Sequence, residues 1–209
     1  MSDRVSAAIG RALDERQRDA ADEVERILEA TVRVMQRVAP EPPRVGDIVA
    51  EAGSSNKAFY RYFAGKDDLI LAVMERGTAI VVSYLAHQMA KESQPAAKIR
   101  RWIEGILAQV ADENLISMSR AAAAQISLTA DRRVAEIEIT QPLRKLLAEP
   151  MSELGIPDPT RGADAVYMCT TATMRTYIAR NHQPNRDDIE HLVGFCMRGL
   201  GVQAREGRR

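Results

Sequence analysis

Apolar positions in the N-terminal third recur in a helical rhythm. Val24, Ile27, Leu28, Thr31, Val34, Met35 and Val38 fall three and four apart, one face of a 3.6-residue period, and predict a helix over Ala20–Val38. Pro40, Pro42 and Pro43 predict its end. A second, short helix is predicted near Val45–Ala52, with Val45, Ile48, Val49 and Ala52 inward. Gly53 suits the left-handed residue that stops a helix, and Ser54-Ser55 supplies a turn and an N-cap. A third helix is predicted over Asn56–Phe63, broken by Ala64-Gly65. A fourth starts at Lys66, runs past Met74 and extends to about Ala90. Asp67 and Asp68 in its first turn favour the positive helix end. Before Ala20 the chain is charged, and Val5, Ile9 and Leu13 fall four apart. That stretch reads equally as a short amphipathic helix or a solvated arm.

Beyond Ala90 the pattern predicts longer helices: Ala96–Ala111 opened by Pro95, then Asn114 to about Leu128, then Asp131–Leu154. Pro142 and Pro150 are expected to bend or break the last of these, each removing one backbone donor. Gly155-Ile156-Pro157-Asp158-Pro159 is a loop, followed by helices over Thr160–Asn181 and Asn185–Gln203. With no strand alternation longer than four residues, the fold class is all-α. An arm (1–19) and a three-helix module (20–66) precede a larger helical domain (67–209).

Composition narrows the function. A chain of 209 residues can bury about 70% of its unfolded surface without disulfides or structural metal. Apolar residues at 45% and charged residues at 28% exclude wholesale disorder. Lys and Arg total 29, as do Asp and Glu, so any nucleic-acid surface must be local. Two cysteines, Cys169 and Cys196, exclude a disulfide scaffold and suit a reducing cytoplasm. The run Val5–Gly10 is too short for a secretion signal. No uninterrupted apolar stretch approaches the length of a membrane span, so the expectation is a cytoplasmic protein without a membrane partner. His87, His182 and His191 are too scattered for a metal site. No phosphate-cradling Gly loop, nucleophile elbow or Cys-X-X-Cys is present. No cofactor, no metal and no enzymatic activity are expected.

The interval Val45–Phe63 is two short helices joined by a Gly-containing turn, the grammar of a helix-turn-helix. Its second helix would expose Ser55, Asn56, Lys57, Tyr60, Arg61 and Tyr62, with Ala58, Phe59 and Phe63 inward. Across Ser54–Lys66 stand three cations and no acids, while Asp47, Glu51, Asp67 and Asp68 flank it. A helix fits the DNA major groove, where Asn56 could pair with adenine and Lys57 with guanine or phosphate. The hydroxyls of Tyr60 and Tyr62 suit phosphate oxygens. Lys66, at a helix N-terminus, adds its charge to free N–H groups. By spacing alone, an ordinary solvated helix laced with salt bridges reads equally well.

The residues Asp47–Gly53, Ser55, Phe59–Phe63 and Lys66-Asp67-Asp68-Leu69 resemble the helix-turn-helix of the TetR family of transcriptional regulators. Ile27-Leu28-Glu29-Ala30 is similar to that family's first helix, and the resemblance spans about residues 24–74. It implies that Ser55, Asn56, Lys57, Tyr60 and Tyr62 face DNA and that Lys66 clamps a phosphate. Two positions depart from the pattern: Arg44 stands where a Thr cap is usual, as a cation able to reach phosphate, and Gly46 lies inside the second helix. The resemblance also implies a ligand-binding and dimerisation role for the C-terminal domain. The protein would then be a repressor, released from an inverted-repeat operator by a small apolar or amphipathic effector. The alternative is a helical small-molecule-binding or scaffold protein without sequence-specific DNA binding.

Two further sets of candidates lie in the C-terminal domain. Trp102, Ile106, Met118 and Ile126, with Met151, Tyr167, Met174 and Tyr177, could line an effector pocket, since Met adapts to varied apolar shapes. The same residues read equally as ordinary core. The helix over Thr160–Asn181 carries a second stripe of small residues, including Ala165, Cys169, Ala172 and Thr176, that allows close helix approach. Ile189, Leu192, Val193, Cys196 and Leu200 form a stripe on the last helix. The resemblance implies that these two helices pair with their copies in a homodimer, presenting two reading helices to double-stranded DNA.

Overall fold

A computed structural model describes residues 3–39, 41–111 and 130–202. All regular structure among them is helical: α1 (Asp3–Val38), α2 (Val45–Glu51), α3 (Asn56–Tyr62), α4 (Lys66–Met89), α5 (Pro95–Ala111), α6 (Ala130–Glu153), α7 (Pro159–Arg180) and α8 (Arg186–Gly199). The helix expected over Asn114–Leu128, with Met118 and Ile126, lies outside the described residues. The chain divides into two compact units, Met1–Val73 and Met74–Arg209. The division falls inside α4.

Before Ala20 the helical of the two readings holds, and that stretch is continuous with the next helix, so α1 is one helix of 36 residues rather than an arm followed by a helix. Of the two outcomes expected at Pro142 and Pro150, breakage does not occur, since α6 runs through both. A proline costs its own hydrogen bond, but the rest of α6 packs on α5 and α7, and Leu154 N–H still donates to the Pro150 carbonyl at 3.1 Å.

In the first unit, Ile27, Ala30 and Val34 of α1 meet Ile48 and Val49 of α2, Phe59 of α3, Phe63, and Leu69 at the start of α4. Phe59 is fully buried and lies 5.8 Å from the Phe63 ring. Outside this core, Glu51 of α2 accepts from Arg33 Nε at 2.9 Å and Arg37 Nη1 at 3.0 Å, which ties α2 to α1. The Arg33 hydrogen bond is the main reason the Glu51 carboxyl sits below the usual carboxylate range.

In the second unit, Trp102, Ile103 and Leu107 of α5 pack with Leu147 and Met151 of α6, Val166 of α7 and Val193 of α8. Trp102 is fully buried, and its Nε1–H donates to the Leu143 carbonyl at 3.0 Å, so its one polar atom is satisfied. Gly105 lets α4 and α5 approach closely, since a Cβ there would collide with Leu85.

The absence of a long uninterrupted apolar run understated α4. By length and composition it could cross a membrane, with a mean hydropathy of 1.6 over its most apolar window, because that measure tolerates the Glu75-Arg76 pair. The helix is anchored in protein at both ends, however. Leu69 is fully buried in the first core, and Leu85 in the second.

Candidate nucleic-acid interface

Local interactions shape the α2–turn–α3 hairpin. Gly53 takes φ of 61°, and Ser54 N–H donates back to the Val49 carbonyl at 2.9 Å, closing α2 with a left-handed residue. Ser55 then caps α3, its Oγ accepting from Ala58 N–H at 3.1 Å. These two positions set the direction in which α3 leaves the turn. Ala58 and Phe59 face inward and are buried, as is Phe63 just past the helix end. Ser55, Asn56, Lys57, Tyr60 and Arg61 are exposed, Tyr60 to 63%. The Tyr60 and Phe59 rings meet at 84°, with centroids 5.0 Å apart.

Tyr62 is placed differently. It is half-buried, and its hydroxyl donates to Glu23 Oε2 at 2.9 Å. Glu23 Oε1 accepts from Ser54 Oγ at 3.1 Å, and Arg61 Nη1 stands 3.8 Å from Glu23 Oε2. One carboxylate on α1 therefore holds the turn and the C-terminal end of α3 together. The Tyr62 hydrogen bond is the first cause of its lowered pKa, with Ser54 and the Arg61 charge adding to it against partial desolvation. Sequence reasoning missed Glu23. It precedes its turn partner Ser54 by 31 residues and looks like any exposed acid of an amphipathic helix.

Arg44 and Lys66, 22 positions apart, come together. Both line a cleft of about 440 Å³ with Glu41, Pro42, Pro43 and Val45. Arg44 is the N-cap residue of α2 without a side-chain cap bond, so its guanidinium is not engaged in capping. Lys66 opens α4, whose approach is shaped by the Asp68 carboxylate accepting from Ala64 N–H at 2.9 Å. Two cations thus stand beside the hairpin in the same unit as the exposed face of α3.

The candidates in the helical body separate into inner and outer groups. Trp102, Ile106, Met151 and Tyr167 are buried in one core. Tyr167 lies under the Arg144 guanidinium, 4.1 Å from its ring centroid. Met174 packs against that core, and Tyr177 stacks on His182. On the two helices expected to pair, Leu192, Val193 and Cys196 turn into the chain's own core, with Ile189 and Leu200 packed against it. Ala165, Ala172 and Thr176 are exposed and Cys169 is half-buried. Beside them stand two large exposed side chains that the stripes did not single out, Met168 at 63% and Phe195 at 54%. Ala165, Cys169, Phe195 and Gly199 are among the residues lining an apolar groove of about 410 Å³ between α7 and α8. Burial pushes the Cys196 thiol up to about 11, so it behaves there as a small hydrophobe. Among the described residues no cluster of His, Cys, Asp and Glu could hold a metal ion.

Comparison with known proteins agrees with this geometry. The family profile of the bacterial regulatory proteins of the tetR family matches residues 27–73. No curated protein matches the chain in sequence. Solved structures do match in fold. The transcriptional regulator FadR from Bacillus subtilis, in complex with stearoyl-CoA, superposes with a TM-score of 0.67 at 16% identity, covering 86% of this chain and 99% of that one. A TetR transcription regulator from Haloarcula marismortui gives 0.68 at 16% identity over 88% and 98% of the two chains. The reduced form of E. coli NemR gives 0.65 at 16% identity over 85% and 97%. The helix-turn-helix built as described thus carries the tetR-family profile over residues 27–73, and the helical body has the fold of solved transcriptional regulators of that type.

Proposed function

We propose that the protein is a homodimeric repressor that reads an inverted repeat through α3 and is released by a small apolar or amphipathic ligand. The observation that carries this reading is the division of α3. One face is locked into a core by Phe59, while Ser55, Asn56, Lys57, Tyr60 and Arg61 stand in solvent. In this reading Asn56 and Lys57, at the start of the helix, meet base edges, and Tyr60 meets phosphate. Arg44 and Lys66 grip the backbone from their shared cleft. Arg61 and Tyr62 act at one remove, through Glu23, by holding the end of α3.

The dimer would form on the exposed strip of α7 and α8, through Ala165, Cys169, Ala172 and Thr176, with Met168 and Phe195 as its large anchors. Two-fold pairing places two reading helices in successive major grooves, roughly 34–36 Å apart. The effector would enter the body around Trp102, Ile106, Met151, Tyr167, Met174 and Tyr177. The FadR of like fold holds stearoyl-CoA, which supports an amphipathic effector. Because α4 contributes residues to both compact units, a ligand that binds one arrangement of the body better than another would shift the position of the reading head through it. Repression and a cytoplasmic location complete the proposal.

Selection of duplexes from a random pool tests it. An inverted repeat should be enriched, and affinity should fall steeply with salt as phosphate contacts displace counterions. Lys57→Ala should weaken binding to the selected site about tenfold or more, the scale of one good base contact, with unfolding unchanged. No enrichment over bulk DNA would end the reading, and unchanged affinity in Lys57→Ala would mean that α3 is turned otherwise.

A further inference from the structure

The two cysteines, far apart along the chain, meet in space. Cys169 lies on α7 and is half-buried, and Cys196 lies on α8 and is buried. Both line the apolar groove between these helices. Their thiols are hydrogen-bond partners. Burial is the first cause of the raised Cys196 pKa, and the charge and hydrogen bond of Cys169 add to it. Small residues make room beside the pair. Gly162, Ala165 and Cys169 recur three and four apart on α7, and Gly199 follows Cys196 by three on α8, so each set shares a helix face. Gly162, Ala165 and Gly199 line the same groove.

The chemistry of the pair limits what it can hold. Among the described residues no group of three His, Cys, Asp or Glu forms, so an ion that needs four ligands, such as zinc, does not find them here. A disulfide requires sulfurs about 2.05 Å apart and Cα atoms within about 6.8 Å, whereas packed helix axes usually stand about 8–10 Å apart. One atom bridging two sulfurs needs less approach. Burial sets a second condition. A wall that keeps the Cys196 thiol protonated disfavours any product that leaves a charge behind. A monosubstituted trivalent arsenical meets both conditions. It takes two thiols, its product is neutral, and its organic group can lie against Pro157 and Phe195 in the groove.

We propose that Cys169 and Cys196 form a dithiol site for a monosubstituted trivalent arsenical, R–As(OH)2, with its organic group in the groove between α7 and α8. Two As–O bonds break and two As–S bonds form. Each hydroxide leaves as water with one thiol proton, and arsenic stays trivalent. The adduct ties α7 to α8, and its formation does not depend on DNA binding. Cys169 and Phe195 also belong to the strip proposed for dimerisation, so the organic group and a second copy compete for one surface.

Phenylarsine oxide, whose hydrate has this form, is the probe. It is added to the full chain at high dilution, where no second copy covers the groove. Intact-mass spectrometry should show one arsenical on each chain. The chain has no cysteine besides these two, so titratable thiols should fall from two to none, and ethanedithiol should restore both. Cys169→Ser and Cys196→Ser should each lower affinity about a hundredfold or more, the usual gain from a second tethered ligand, with unchanged circular dichroism. Cys169 is half-buried, so Cys169→Ser carries the comparison where Cys196→Ser fails to fold. Equal affinity in a folded single variant would overturn the proposal. So would two thiols still titrating in the treated protein, or an arsenical joining Cys169 of two chains.

Discussion

The two compact units solve the same packing problem on different scales. In the N-terminal unit, helices of seven residues, α2 and α3, are held by a single buried cluster around Phe59. Neither is long enough to be stable alone, so their ends are written into the sequence as a left-handed Gly53 and a capping Ser55. In the C-terminal unit the helices run to 24 residues and pack side on around Trp102. Their ends matter less than which stripe turns inward. The short-helix unit is specified by punctuation, the long-helix unit by surfaces.

Truncating the two central aromatics is the strongest way to test that contrast. Phe59→Ala and Trp102→Ala should each cost about 3–5 kcal/mol, the usual range for a large buried ring, read by denaturant unfolding. Phe59→Ala should also abolish specific DNA binding, because α3 has no other anchor of that size. A milder loss at Phe59 than at Trp102 would show that capping holds the hairpin more than burial does.

Next in size is the outer strip of α7 and α8. Phe195→Arg puts a charge on a side chain already 54% exposed, so it should leave the fold intact while sedimentation finds monomers. Persisting dimers would move the interface off this strip.

The two glycines set the rules against each other directly. Gly105→Ala forces a methyl into Leu85, an overpacking that should cost about 1–3 kcal/mol. Gly53→Ala meets open space, and only its positive φ resists, so the cost should be about 1–2 kcal/mol. Unfolding free energies of the pair separate crowding from backbone conformation.

The smallest effect is acid dependence. Glu23 has a folded pKa below its unfolded value, chiefly through the Tyr62 hydrogen bond. Its contribution is therefore fully present above the ordinary carboxylate pKa of about 4.3. It is lost as pH falls through the lowered folded value. Glu23→Gln should lower the melting temperature at neutral pH and flatten its fall through that acid range, so that the two proteins converge at low pH. An unchanged slope would mean that the carboxylate does not hold the end of α3.

Legibility followed the range of the interactions. Gly53, Ser55 and the inward Phe59 could be read directly, because each acts on neighbours within a few residues. The length of α1 could not, since Val5, Ile9 and Leu13 showed the rhythm but the charged stretch Asp14–Asp19 resembled a break. The stripe Leu192, Val193 and Cys196 was visible as apolar. Whether it served the chain's own core or a partner depended on α5 and α7 arriving beside it. Phe195 stood one residue from that stripe and was the large side chain left outside.

From the sequence alone come the all-helical class, the hairpin with its stop and cap, and the outward chemistry of α3, since helix periodicity and capping are short-range effects. The tertiary structure decided the rest: Glu23 under Tyr62, Arg44 beside Lys66, α6 continuing through two prolines, and one face of α8 turned inward. Each of those requires residues distant along the chain to meet, and local pattern does not encode which distant partner arrives.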